Sequence, residues 1–592
     1  MEVLLLLCLA SPAVAQAEAP KAVRKDAVVV TGTYDPIPLV ELDRSVRTLP
    51  ARELSLLTSM LDDILRLDPS LDLRQRAPGA VQSGVSIHGG TFGQTLVLLN
   101  GFRLNDVQSA NHNMDIPVTP DAVTQVEVLR GSGSTLYGSD AVAGVVNFIA
   151  RPPEVSEVRL RAAVGNFGFN QQRGMLAYSS RRCSEQLTFS RDFSSGFREN
   201  RDFRNLALAS ISRLATRWGE TELILAHNDR PFGADRFYGD FNSWERTKTW
   251  FAAARQPLGA RTDVSFAYRR HTDLFVLYRD RPEVFTNRHA VESYQGALRR
   301  KQPLGPNARL HYGTEAYHDS IASTNLGRHR RGRGAGYLAY DVRALRRFSF
   351  TLGAREELYR SIRRQFSPSA SAGFWVSEHL KLRGSVSRAF RLPTFTDLYY
   401  HDPANRGSPD LRPETAWSYE GGFDWNAGAR IRGQIGAFHR RERDGIDYVR
   451  ASPAEVWRAT NFRRLRFTGV ETALETSLAR QHQVELRYTG LWGVQNAAAG
   501  AVSRYTFNYP MHAGLAAWQG TIAGGLLGRS RVGVLRRFAR APYAVWDLFL
   551  ASGRGHVRPF LQFTNLTGAA YEDVPGVPMP GRGVVAGVQF VP

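Results

Sequence analysis

Three carboxylates, Asp229, Asp235 and Asp240, are interleaved with Phe237, Tyr238 and Trp244 along the stretch Asn228–Trp244. Carboxylate oxygens are ligands for a hard cation such as Ca2+, and aromatic faces stack on flat rings. The stretch therefore reads as a binding loop. Asp229, Asp235 and Asp240 are its candidate Ca2+ ligands, and Phe237, Tyr238 and Trp244 its candidate stacking surfaces. A solvated polar loop accounts for the same residues more simply. Catalysis finds no comparable foothold. The 14 histidines are scattered and serine is abundant throughout, so no nucleophile–base pair stands out. The chain is not read as an enzyme, and no cofactor is required. The Gly-rich run Arg130–Asp140 has the look of a phosphate loop but lacks the Gly-Lys-[Ser/Thr] ending. Tight turns packed against a wall explain it better.

A second kind of chemistry is main-chain recognition. Asp26, Ala27, Val28, Val29, Val30, Thr31, Gly32 and Thr33 form a short, exposed-looking strand with little context of its own. Another protein can capture such a strand by adding it to a sheet edge. Tyr34–Pro38 is expected to end it, because proline cannot donate to a ladder.

These residues need elements to position them. At 592 residues the chain is too long for one small core. Residues 1–17 read as a secretory signal, with the apolar run Leu4–Ala10 and small-residue cleavage sites ending at Ala15 and Ala17. Cys183 is then the one cysteine left, so an internal disulfide is excluded, as is a cysteine-based metal site. No apolar run reaches the ~18–20 residues of a membrane-spanning helix. A membrane-spanning form must therefore be a closed β-barrel.

The net charge of +21 raises the question of nucleic acid. The basic residues are nearly all arginine, spread over the whole chain, with no basic helix and no nucleic-acid motif. A charged barrel lumen and surface fits better, and a basic mouth would attract lipopolysaccharide or anionic ligands.

Residues 18–40 form a linker around the short strand, and 41–152 form a compact α+β unit. In that unit Leu57, Met60, Leu61, Ile64 and Leu65 recur at helical spacing. Val85–Gly90, Leu96–Leu104 and Val126–Leu129 read as strands, with Asn100-Gly101 as a hairpin turn. From 153 to 592, alternating segments of about ten residues are separated by polar turns, as in a transmembrane barrel. In the last segment Val584, Ala586, Val588 and Phe590 share one face. In the run 557–564, Val557, Pro559, Leu561 and Phe563 do the same, with Pro559 awkward for a ladder. About 440 residues at ~20 per strand and turn give ~22 strands, the size class of plugged transporters. The fold class is all-β transmembrane: a ~22-stranded antiparallel barrel with an N-terminal α+β plug.

At this point the chain resembles the TonB-dependent outer-membrane receptors, over nearly its whole mature length. Asp26–Thr33 is similar to the TonB box. Val85–Asp106 and Val126–Arg151 resemble the plug motifs, and Ser387–Thr394, Pro409–Thr415, Phe467–Glu471 and Asn565–Thr567 resemble barrel segments. Two positions depart from the pattern. His88 stands where the family has arginine before a glycine pair, and the terminal aromatic Phe590 is followed by Val591 and Pro592. The resemblance implies an outer-membrane location, a monomeric barrel in lipid and lipopolysaccharide, and TonB with its inner-membrane energising complex as partner. It implies a scarce metal chelate as cargo. It also implies a plug–barrel latch, with His88 and Arg130 set against Glu420 and Glu471. With His88 in place of arginine, the latch is expected to be weaker and pH-sensitive.

The stretches Asn228–Trp244 and Asp319–Arg331 resemble extracellular loops of receptors grouped with the vitamin B12 receptor, which uses Ca2+ to order its loops. That resemblance implies cobalamin as cargo, with a corrin ring stacked on Phe237, Tyr238 and Trp244. A ferric siderophore or haem is the alternative. A passive porin would lack plug and box, an adhesive barrel would not need the box, and a signalling receptor would carry about 80 further residues before it.

Overall fold

Period-two alternation becomes strand from Glu157 onward. The computed structural model describes residues 28–592 apart from 346, 360–362, 429, 453, 463, 480, 496–501 and 504–507. The expected signal peptide, Asp26 and Ala27 lie outside the described residues. Twenty-two strands, Glu157–Gly165 to Gly583–Phe590, form a closed antiparallel barrel. The first strand pairs with both the second and the last, Leu160 opposite Phe590, so no sheet edge is left unpaired.

The two faces differ as lipid and lumen require. Leu160, Val164, Leu176, Leu187, Leu208, Leu225 and Phe266 are exposed on the outer face. Arg161, Arg173, Arg269, Glu315, Arg355 and Glu357 are buried inside, largely as ion pairs or hydrogen-bonded to the plug. Much of the arginine excess is thus lumenal. Pro559 is tolerated because the ladder to Tyr543–Ser552 stops at Phe560, leaving Pro559 paired with Val588 on one side only.

Connections at one end are short, such as 217–218, 258–261 and 378–379. At the other end they lengthen to 392–413, 444–464 and 565–582. In outer-membrane barrels short turns face the periplasm and long loops the exterior. Both the first strand and the C-terminus start from the short-turn end.

The plug fills the lumen. Its sheet has the spatial order Val46–Leu49, Val123–Arg130, Gly144–Ala150, Thr95–Leu99, Phe102–Arg103. Asn100 and Gly101 both adopt positive φ, 49° and 82°, which closes the tight hairpin between Leu99 and Phe102. The expected helix is split into a 3-10 turn, Ser55–Leu57, and a short helix, Leu61–Leu65, because Thr58 is extended between them. Val97, Leu99, Val126, Val128 and Phe148 form a core that runs directly into Ile211, Ile224, Phe251 and Ala267 of the barrel wall. Plug and wall therefore share one apolar cluster, so displacing the plug exposes surface from both.

Candidate functional site

The periplasmic end of the plug holds the segment expected to be captured. It is not a free strand. Val28–Val29 pairs with Ile37–Pro38 as a small hairpin, so Pro38 lies in the return strand instead of merely ending the first. Val29 is fully buried against Ile37, Leu42, Val46, Leu96, Leu98 and Leu129. The backbone N–H groups of Val30 and Thr31 donate to the Glu127 carboxylate at 3.1 and 2.7 Å. Asn147 donates to the Thr31 hydroxyl at 2.9 Å. Gly32, at φ 82°, turns the chain where a side chain would crowd Leu129 and Val46. The reason for the correction is polar: a strand next to a plug finds acceptors there before any partner arrives.

Glu127 is a poised holder. Burial pushes its carboxyl above the usual range, only partly offset by the donors from Thr31, Val30 and Gln125. A raised acid contributes stability at low pH that is lost as pH rises through its folded value. Burial thus makes the charged form costly, and the donors of the segment offset part of that cost. Replacing Glu127 with Ala removes two acceptor contacts to the segment's backbone, each worth about 0.5–3 kcal/mol. The expected outcome is faster maleimide labelling of a cysteine at Val29 in the unliganded receptor. An unchanged rate would contradict this role.

Halfway through the lumen the latch residues meet in part. His88 Nε2 lies 2.7 Å from Glu471 Oε1, and Arg130 Nη1 donates to Glu471 Oε2 at 3.1 Å. Arg130 Nη2 also donates to Asp68 at 3.0 Å. His88 is held at φ 49°, stacked on Phe438 with centroids 3.6 Å apart. Burial would raise the Asp68 carboxyl, but Arg130, Arg47 and Arg487 together hold it well below the usual range. Glu420 is the correction. Its nearest cation is Arg44, at 3.8 Å, and it sits under Gly131 instead of joining Arg130. The Arg130 fork is already spent on Asp68 and Glu471. Arg44 and Asp68 escaped the sequence reading because neither falls in a patterned run. Glu127 was legible as an acid inside the apolar run Val126–Leu129.

The expected binding loops fold differently. Asn228–Asp235 and Asn242–Trp244 are strand, with only 236–241 as a turn. Asp229 is clamped by Arg246 through bonds of 2.8 and 2.6 Å. Asp235 lies six residues further along the same strand, about 20 Å away at ~3.3 Å per residue. Asp240 is exposed on the turn beside Arg236. The three carboxylates therefore cannot share an ion, and added Ca2+ is expected to leave ligand affinity unchanged in a binding assay. Phe237 packs with Ala77, Val81 and Phe203 at the plug–wall interface. The Tyr238 hydroxyl bonds Glu245 and Gln82. Trp244 lies on the opposite face of its strand from the buried Ser243 and Glu245. None of the three rings forms an open stacking surface. The stretch Asp319–Arg331 is likewise two strands joined by a turn at 324–326.

The opening toward the long loops is instead a cavity of about 80 Å³. It lies between Thr91–Gly93 and Ser109–Asn111 of the plug and Arg391, Thr396 and Tyr448 of the wall and loops. Its arginines are already neutralised, Arg391 by Glu414 at 2.6 Å and Arg74 by Asp72 at 2.8 Å. A larger void of about 400 Å³ lies at the periplasmic side, between Arg44–Pro50 and the wall at Glu475 and Glu485.

A plugged 22-stranded barrel with a sequestered N-terminal strand defines a class of outer-membrane receptor. Residues 126–566 match the family "TonB dependent receptor-like, beta-barrel", and residues 38–145 match "TonB-dependent Receptor Plug Domain". The chain belongs to the TonB-dependent receptor family and is an outer-membrane protein. The barrel match begins inside the plug, whose strands run on to Ala150. The vitamin B12 transporter BtuB of Photobacterium profundum is 23% identical over 441 residues, 70% of this chain and 69% of that protein. The iron-regulated outer membrane virulence protein of Vibrio cholerae is 23% identical over 470 residues, 68% of each. Among solved structures, the siderophore receptor PirA from Acinetobacter baumannii superposes with a TM-score of 0.76 at 14% identity, covering 94% of this chain and 99% of that one. The copper transporter OprC does so with a TM-score of 0.77 at 15% identity, covering 92% and 98%.

Proposed function

We propose that this receptor actively imports a scarce metal chelate, with cobalamin as the cargo. The chelate binds at the plug apex and the long loops. TonB then captures Val28–Thr33 as an added strand and uses the inner-membrane proton-motive force to remodel the plug. The observation that carries the reading is the pairing of a filled lumen with a recognition strand whose donors are occupied by Glu127. A filled lumen speaks against passive diffusion, and a purely adhesive barrel has no use for such a strand.

Two observations favour cobalamin over an anionic iron chelate. The B12 transporters are among the relatives in sequence. The two arginines lining the apex cavity, Arg391 and Arg74, are already ion-paired, so an anionic ligand bound between them must displace Glu414 or Asp72, whereas a neutral corrinoid need not. A ferric siderophore is the second reading, supported by the iron-regulated relative and the siderophore-receptor fold. Titration of the folded receptor with cobalamin, read by tryptophan fluorescence beside a ferric siderophore panel, separates them. Saturable cobalamin binding alone supports the first. Binding of an iron chelate alone moves the cargo to the second.

A further inference from the structure

On the loop side of the lumen the plug apex meets the wall through a cluster that the transport reading leaves unused. The plug supplies His112, at the end of the 3-10 turn Ala110–His112, and Asp115 just beyond it. The wall supplies His271 from Thr262–Val276. One nitrogen of each histidine and one oxygen of Asp115 lie within 4.8 Å of one another, and all three residues are buried. Asp115 Oδ2 is 3.2 Å from His271 Nε2 and 3.8 Å from His112 Nδ1. Ligands at about 2.0–2.2 Å from a tetrahedral Zn2+ sit at nearly this spacing, so only His112 must close in.

Carboxylates stand behind both rings. The far nitrogen of His271 lies 2.7 Å from Asp106 Oδ2. The far nitrogen of His112 lies 3.5 Å from Glu245 and 3.6 Å from Asp273. Both imidazoles thus have a carboxylate close to the nitrogen away from the shared centre, placed where a small rotation of the ring would let it accept the N–H that fixes tautomer in metal-binding histidines. Arg230 takes Asp115 Oδ1 at 2.8 Å and leaves Oδ2 toward the histidines. A separate observation points the same way. Asp273, 95% buried beside His112, has an Oδ1 with no hydrogen-bond partner, an unmet acceptor in a site already rich in them.

We propose that His112, Asp115 and His271 form a site for one borderline divalent cation of the Zn2+ or Co2+ kind, joining plug to barrel wall, with Asp106, Glu245 and Asp273 as outer partners. Mixed imidazole and carboxylate donors suit such an ion better than Ca2+, which takes oxygen ligands. The site is distinct from the chelate's cavity and does not depend on the identity of the cargo. His112 belongs to both ligand groups that converge among the described residues, His112/Asp115/His271 and His112/Glu245/Asp273, so one ion is expected.

The test uses the untagged full-length receptor, folded in detergent and stripped with chelator, titrated with Co2+ and followed by visible absorption. One equivalent should give saturable d–d bands that Zn2+ abolishes. His271→Gln and Asp115→Asn should each weaken binding at least tenfold, and Asp106→Asn by about 10–100-fold. Asp240→Asn, on the exposed turn, should bind as the parent does. Heat-modifiable migration on gels establishes that each variant holds a folded barrel. Absence of saturable bands in the folded parent would overturn the site. So would equal affinity in Asp106→Asn, Asp115→Asn and His271→Gln, which would leave the cluster as a hydrogen-bonded clasp between plug and wall.

Discussion

Replacing Val29 with proline should abolish energised uptake while leaving ligand binding at the cell surface intact. Main-chain pairing tolerates varied side chains, so the three successive valines, Val28, Val29 and Val30, are enough for the proposed recognition. It does not tolerate a missing donor. One unmade bond costs about 1–3 kcal/mol, or roughly 5- to 150-fold in affinity for the capturing strand. In the resting receptor Val29 faces Ile37 in a two-residue ladder, so the substitution also loosens the hairpin. That loosening works toward exposure, so a loss of uptake cannot come from a segment held more tightly. Uptake of labelled ligand into whole cells measures the effect. Normal uptake by the variant would remove the recognition role from this segment.

The second large effect is expected at Arg130. This guanidinium joins Asp68 and Glu471 in a buried triad, at 3.0 and 3.1 Å. Arg130→Ala leaves two carboxylates buried without their shared cation, a loss of about 3–5 kcal/mol. The expected readout is a plug that unfolds at lower denaturant, or is cleaved by protease, while the barrel persists. The pH dependence follows from Asp68. Its carboxyl is held below the usual range, so its contribution is complete above the ordinary carboxylate value of about 3.9. It is lost as pH falls below that value toward the folded one. In Arg130→Ala this acid-side loss should shrink, with Arg47 and Arg487 left to hold the carboxylate. An unaltered plug transition in the variant would show that the triad does not hold the plug.

These two predictions rest on residues that were unequally visible in the sequence. The resemblance to the TonB-dependent receptors, and no pattern of the residues themselves, set Arg130 against Glu471, and the two do meet across the lumen. The same resemblance placed Glu420 there, yet it faces Arg44, because Arg130 already spends both ends of its fork on Asp68 and Glu471, a choice that no single strand reveals. The barrel itself was legible from alternation alone, down to the shared face of Val584, Ala586, Val588 and Phe590. The stretch Asn228–Trp244 misled for the converse reason. Its letters are strand and turn positions: Asn228, Arg230 and Glu245 face the plug, Asp229 meets Arg246 on the outer face of the wall, and Phe237 on the turn meets Ala77. Polar residues mark a loop in a soluble sheet, but inside a filled barrel they mark the wall. The shielding of Val29 was invisible because the burying surface, Leu96, Leu98 and Leu129, lies in other parts of the chain.

On the proposed function, energy from the inner membrane, delivered through the N-terminal segment, moves cargo past the plug. The most direct test is accumulation of labelled cobalamin, or of the iron chelate that binds in its place, in cells making this receptor, before and after an uncoupler collapses the proton-motive force. Surface binding should persist while accumulation stops. Accumulation at the same rate in uncoupled cells would contradict the account and make the barrel a passive path.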